Sequence, residues 1–104
     1  MFADLEVVDN PAERRYEAHA GDVLVGFSEY RQAGSRRIFV HTEVAPEYEG
    51  KGIGGRLARG ALDDVRARGF TLTARCPFIA AYLEHHPEYA DLVAGATRST
   101  APPP

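Results

Sequence analysis

Residues 5–8, Leu-Glu-Val-Val, form a short, mostly apolar run that Asp9-Asn10-Pro11 closes, because proline fixes its own backbone and biases its predecessor away from helix. The run predicts a first strand. Over residues 15–20, Tyr16, Ala18 and Ala20 alternate with polar neighbours, the period of a half-buried strand, and Gly21-Asp22 turns the chain. Residues 23–30 are rich in β-formers and stop at Gln32-Ala33-Gly34-Ser35; strand character resumes over residues 37–44. Connections this short predict an antiparallel meander. At Pro46 the period changes. From Gly52 onward Ile53, Leu57, Ala61 and Val65 recur at helical spacing, with Arg56, Arg59, Asp63, Arg66 and Arg68 on the other side, so an amphipathic helix is expected up to Gly69. Residues 70–74 then read as a strand, parallel to its predecessor because a helix joins the two. Cys76-Pro77 opens a short helix over residues 78–85, and residues 87–92 add a further turn.

The predicted class is α/β (α+β): a mixed, mainly antiparallel sheet with a central amphipathic helix after the glycine loop and a short C-terminal helix. Residues 1–93 make the folded domain. Residues 94–104 are small, polar and proline-rich, and are expected to be disordered.

A chain of 104 residues supports one hydrophobic core and no second domain. Its formal net charge of −3 gives no sequence-independent attraction to nucleic acid or to anionic membranes. With a single cysteine, Cys76, neither an intramolecular disulfide nor a cysteine-rich metal cluster can form, and no metal is expected. The acidic opening residues do not resemble a signal peptide and no apolar run could span a bilayer, so a cytoplasmic location is expected.

Chemistry enters with the glycines. Gly50, Gly52, Gly54 and Gly55 lie between a strand and a helix, where missing side chains let backbone N–H groups approach a ligand and the helix terminus adds partial positive charge. That is a phosphate cradle. The spacing Gly50-x-Gly52-x-x-Gly55 also matches the dinucleotide fingerprint, but the strands before it look antiparallel and the strand after the helix ends in Thr73-Ala74-Arg75 without an acid. A P-loop is excluded because Lys51 is followed by glycine. The plainer alternative is a turn whose glycines only permit close helix packing.

Residues 44–54, Val-Ala-Pro-Glu-Tyr-Glu-Gly-Lys-Gly-Ile-Gly, resemble the acetyl-CoA loop of the GNAT N-acetyltransferases, with the family glycines falling on Gly52 and Gly54. His41-Thr42-Glu43-Val44, Cys76-Pro77-Phe78, Tyr82 and His86-Pro87-Glu88-Tyr89 look like a minimal bacterial and plant GNAT-like subgroup. The resemblance implies acetyl-CoA as cofactor, held by Glu49, Gly50, Lys51, Gly52, Ile53, Gly54 and Gly55, with backbone pairing near Val44. It also implies that the neighbouring strand splays away to open a slot. Glu49 departs from the family pattern, since a carboxylate cannot donate to phosphate.

Amine acetylation needs a deprotonated amine, a positioned carbonyl and help for the departing thiolate. Cys76, at a strand end and helix start, is read either as an acetyl-carrying nucleophile or as a small residue packed beside the cofactor. His41 is a candidate base for the amine or for Cys76, or a hydrogen-bonded strand histidine. Tyr82 falls near the family's thiolate-protonating tyrosine; with Phe78 and Tyr89 it equally reads as packing. His85 and His86 point to different sides of a helix and lack a third ligand. Glu43, Glu47 and Glu49 could steer a cationic amine. The resulting expectation is an acetyl-CoA-dependent N-acetyltransferase whose acceptor is a small-molecule or protein amine. The rival reading is a CoA-binding module without an acceptor site of its own.

Overall fold

The structure is a computed structural model, and it describes residues 5–94. Five strands, β1 (Leu5–Asn10), β2 (Arg15–Ala20), β3 (Val23–Ala33), β4 (Arg36–Val44) and β5 (Thr71–Ala74), form one sheet in sequence order. The first four pair antiparallel and β5 joins β4 parallel. This is the expected mixed sheet, with longer hairpins: β3 runs on to Ala33 because Gln32 and Ala33 pair with Arg37 and Arg36 up to the turn, where Gly34 takes a φ of 60°.

Helix α1 (Ile53–Ala67) crosses one face of the sheet and buries Ile53, Leu57, Ala61 and Val65, together with Ala58 and Leu62. Its Gly60 sits where an added Cβ would lie 2.8 Å from Val7 of β1, so the missing side chain sets how close helix and strand can come. Helix α2 (Pro77–His85) and a 3-10 turn over Pro87–Leu92 close the end of the core with Ile79, Tyr89 and Leu92. Arg66 holds that turn from α1, donating to Asp91 at 2.9 Å and to the Glu88 carbonyl at 2.8 Å. Ala94, assigned from sequence to the tail, donates its N–H to the Leu72 carbonyl at 2.7 Å; the rest of the expected tail lies outside the described residues.

Two irregularities decide which side chains share a face. Ala18 pairs with Gly26 and His19 with Leu24, leaving Val25 as an extra residue in β3. Tyr30 pairs with Phe39 and Glu29 with His41, leaving Val40 extra in β4. A bulge shifts the two-residue alternation by one. Without it, Phe39 and His41 would share the helix-covered face. With it, Phe39 packs inward against Tyr16, ring centres 6.0 Å apart, and Thr42 replaces His41 on that side, within hydrogen-bond reach of Ser28 and Cys76. His41 turns to the uncovered face beside Phe27, at 6.2 Å.

Candidate functional site

β4 and β5 pair only from Arg36↔Thr71 to Phe39↔Ala74. The next two amides, of Arg75 and Cys76, both donate to the Phe39 carbonyl, at 2.9 and 3.0 Å, and the chain then turns into α2 with Pro77 in its first turn. Beyond Phe39, β4 therefore runs on to Val44 with no strand among the described residues paired to it on the β5 side. Parallel strands that part in this way leave a row of backbone donors and acceptors facing a gap. A cleft of about 290 Å³ occupies it, lined by Thr42 and Val44 on the strand, Tyr48, Glu49, Gly50, Gly52, Ile53 and Gly54 on the loop, and Phe78 on α2.

The loop is built to leave amides free. A 3-10 turn over Pro46–Tyr48 ends where the Glu49 N–H donates to the Pro46 carbonyl at 3.2 Å. Gly50 and Gly52 then take φ values of 80° and 82°, in the left-handed region where other side chains are strained. The Arg56 N–H bonds back to the Gly52 carbonyl at 3.1 Å. The amides of Ile53, Gly54 and Gly55 come before the first intrahelical bond, no side chain caps the helix, and its first turn carries no acid. Those free amides, with the helix dipole, suit an anion.

Gly54 has its own reason: a Cβ there would meet the Phe78 ring at 2.7 Å, so glycine lets that half-exposed ring close over the cleft. Lys51 and Glu49 are both exposed, one of each sign.

The proposed chemical groups do not converge. Cys76 is 2% exposed and precedes α2; its thiol donates to the Thr42 hydroxyl at 3.2 Å, which in turn pairs with the fully buried Ser28 hydroxyl at 2.9 Å. Thr42 and Phe78, not Cys76, line the cleft. His41 is half-exposed on the opposite face, paired with Glu43 at 3.1 Å. The bulge at Val40 thus separates His41 from Cys76 by the thickness of the sheet. Tyr82 stacks on His86 with ring centres 3.9 Å apart and lines a separate apolar groove with Gly55, Phe78 and Ala81; burial pushes its hydroxyl above the ordinary tyrosine range. Glu43, Glu47 and Glu49 are exposed, and only Glu49 borders the cleft.

Sequence reasoning passed over Thr42, Ser28, Tyr48 and the closing role of Phe78. Thr42 stands within His41-Thr42-Glu43-Val44, but strict alternation assigns it the wrong face, and nothing local in the sequence marks the bulge.

The match to protein families decides the relationship: residues 15–92 fit the model of the GCN5-related N-acetyl-transferases. The chain belongs to that family. The same architecture is found in the solution structure of a GCN5-like protein from Staphylococcus aureus, which aligns with a TM-score of 0.67 at 22% identity over 88% of this chain and 89% of its own. At that identity the likeness concerns the fold. No curated protein matches the sequence significantly. This GNAT domain is thus an N-acetyltransferase, and its family generally draws on acetyl-CoA. Among the described residues no helix is long and apolar enough to cross a membrane.

Proposed function

We propose that this GNAT domain transfers an acetyl group from acetyl-CoA to a primary amine by direct attack, without an acetyl-cysteine. The observation that carries the reading is the cleft between the unpaired edge of β4 and the N-terminus of α2, ending on the free amides of Ile53 and Gly54. Acetyl-CoA would supply the acetyl group as an activated thioester. The amides of Ile53, Gly54 and Gly55 would hold its pyrophosphate, and the β4 edge around Val44 would pair with the pantetheine amides. Lys51 adds a cation at the loop, while the Glu49 carboxylate works against a polyanion and contributes through its backbone alone.

The acceptor amine would approach from the uncovered face, past the edge of β4. His41 faces that side with Glu43 beside it, and imidazole is the side chain best suited to take a proton at neutral pH. A partnered imidazole next to a carboxylate and the Phe27 ring offers a cationic amine both charge and an aromatic wall. Cys76 lies behind Thr42, so its thiol serves packing and the hydroxyl chain to Ser28.

The test is isothermal titration with CoA, followed by turnover with acetyl-CoA over a panel of small amines and peptides while intact mass is followed. The proposal requires CoA binding, acetylated acceptor, and activity surviving in Cys76→Ala. A transient acetyl adduct that disappears in Cys76→Ala would overturn direct transfer. Binding without any turnover would instead favour a CoA-binding module.

A further inference from the structure

A second cavity, of about 480 Å³, lies at the opposite end of β4 from the glycine loop, lined by Pro11, Arg14, Tyr30, Arg31, Gln32 and Arg37. Six residues of strand, roughly 20 Å, separate Arg37 from Val44. The floor is the Arg37 side chain, only 7% exposed. Its Nε donates to Gln32 at 2.6 Å, and its Nη1 donates to the Tyr16 hydroxyl at 2.7 Å and to Asp9 at 3.3 Å. Nη2 takes no partner among the described residues, and no buried side-chain nitrogen there is left unsatisfied, so Nη2 keeps contact with solvent.

Charge is unevenly spent around this floor. The two acids facing Arg37 are Asp9 and Asp64, and Arg68 shares both, at 3.4 and 2.7 Å. Two acids thus offset two arginines. The Arg31 side chain reaches only the Tyr30 carbonyl, at 3.2 Å, and the Arg14 side chain makes neither a hydrogen bond nor an ion pair among the described residues. Glu13, in the same turn as Arg14, does not line the cavity. Two cations are therefore left over at one cavity mouth in a chain whose formal net charge is −3.

The backbone at Arg14 adds an independent sign. It is the one described residue other than glycine with positive φ, 55°, at a turn position that glycine or asparagine fills without strain. Its carbonyl accepts from the Tyr30 N–H at 2.9 Å, which ties the strained turn to the cavity wall. Strain kept at a position where a commoner residue would relieve it points to use of the side chain.

We propose that this cavity is a binding site for a small oxyanion, the phosphoryl or carboxylate group of a metabolite-sized ligand. Arg14 and Arg31 would grip it from the rim and the free Nη2 edge of Arg37 from the floor, since guanidinium forks match such oxygens two at a time. The site is separate from the cofactor cleft and does not depend on the activity proposed above.

The experiment follows backbone and arginine side-chain resonances of the full chain by ¹H–¹⁵N NMR during titration with inorganic phosphate, with succinate, and with chloride at matched ionic strength. The glycine-loop amides, at the other end of β4, are scored separately. The expected result is saturable shifts at Arg14, Tyr30, Arg31 and Gln32, weakened at least about tenfold in the double variant Arg14→Asn/Arg31→Gln. Asparagine tolerates the left-handed turn, so that variant keeps the fold. A stronger response to phosphate or to succinate assigns the group. Shifts that are absent, unsaturable, matched by chloride, or undiminished in the double variant would overturn the site.

Discussion

Thr42→Val tests the register of β4 directly. The substitution keeps the shape and removes the hydroxyl that accepts from Cys76 at 3.2 Å and pairs with Ser28 at 2.9 Å. Ser28 is fully buried, so its hydroxyl is left without a partner, at a cost of about 1–3 kcal/mol. For a domain of about 90 residues, 1 kcal/mol moves the melting temperature by about 5 °C, so a fall of about 5–15 °C is expected. Removing both hydroxyls relieves the orphan: Ser28→Ala/Thr42→Val should lie well above the sum of the single losses, with a coupling of about 1–2 kcal/mol. His41→Ala, on the half-exposed side of the strand, should shift stability by no more than about 0.5 kcal/mol. Calorimetry and urea unfolding of the four variants supply the cycle. Additive single losses, or a costly His41→Ala beside a harmless Thr42→Val, would refute the bulge at Val40.

The other predictions concern the loop, the base and the open face. Gly55→Ala should raise stability by about 0.5–1 kcal/mol, because its Cβ meets nothing within 4 Å, whereas Gly54→Ala should leave melting nearly unchanged but weaken CoA several-fold in titration by displacing Phe78. Glu49→Gln should tighten CoA and Lys51→Gln loosen it, each by a few-fold and less so at high salt, as equilibrium binding at two ionic strengths would report. His41→Ala should lower kcat/KM by about 100-fold or more while leaving CoA affinity intact; an unchanged kcat/KM would exclude it as base. Glu17 is buried on the uncovered face, which by itself raises its pKa, but hydrogen bonds from Arg15, His19 and Asn10 outweigh burial and hold it at about 2, below the ordinary 4.5. Its depressed pKa stabilises the fold above pH 4.5, and that contribution drains away as pH falls from 4.5 towards 2. Glu17→Gln should flatten the loss of melting temperature across that window.

Much of the fold is legible because it is written in local periods. The alternation of Tyr16, Ala18 and Ala20, the helical recurrence of Ile53, Leu57, Ala61 and Val65, and Pro77 before α2 each report on a few neighbouring residues, and those elements stand where the patterns place them. The glycine loop is legible for the same reason, since the strand-to-helix junction and its glycines are contiguous. What lies hidden is non-local. Arg37 looks like any charged residue at a strand start, yet it is buried over the Tyr30 ring at 4.0 Å and joined to Asp9 and Tyr16 across three strands. No window of sequence contains those partners. The left-handed turn at Arg14 is hidden differently, because the residue type argues against the conformation it adopts.

The bulges are the most consequential of the hidden features. Val25 and Val40 are ordinary strand residues, and inserting one extra residue changes no local pattern while reversing the face of everything after it. Read by alternation, His41 stands on the same side as Phe39 and becomes a natural activator for Cys76. With Val40 looped out, Thr42 and Val44 face the cleft, and His41 and Glu43 face the open side. In the proposed reaction one strand would then serve two partners: its helix side and free edge would suit a cofactor, and its other side would present an imidazole and a carboxylate to an acceptor. That division is what direct transfer across a gap in a sheet requires, because donor and acceptor must arrive from different directions and meet at the edge. A relay in which His41 activates Cys76 would need the two on one side, and the register of β4 keeps them apart.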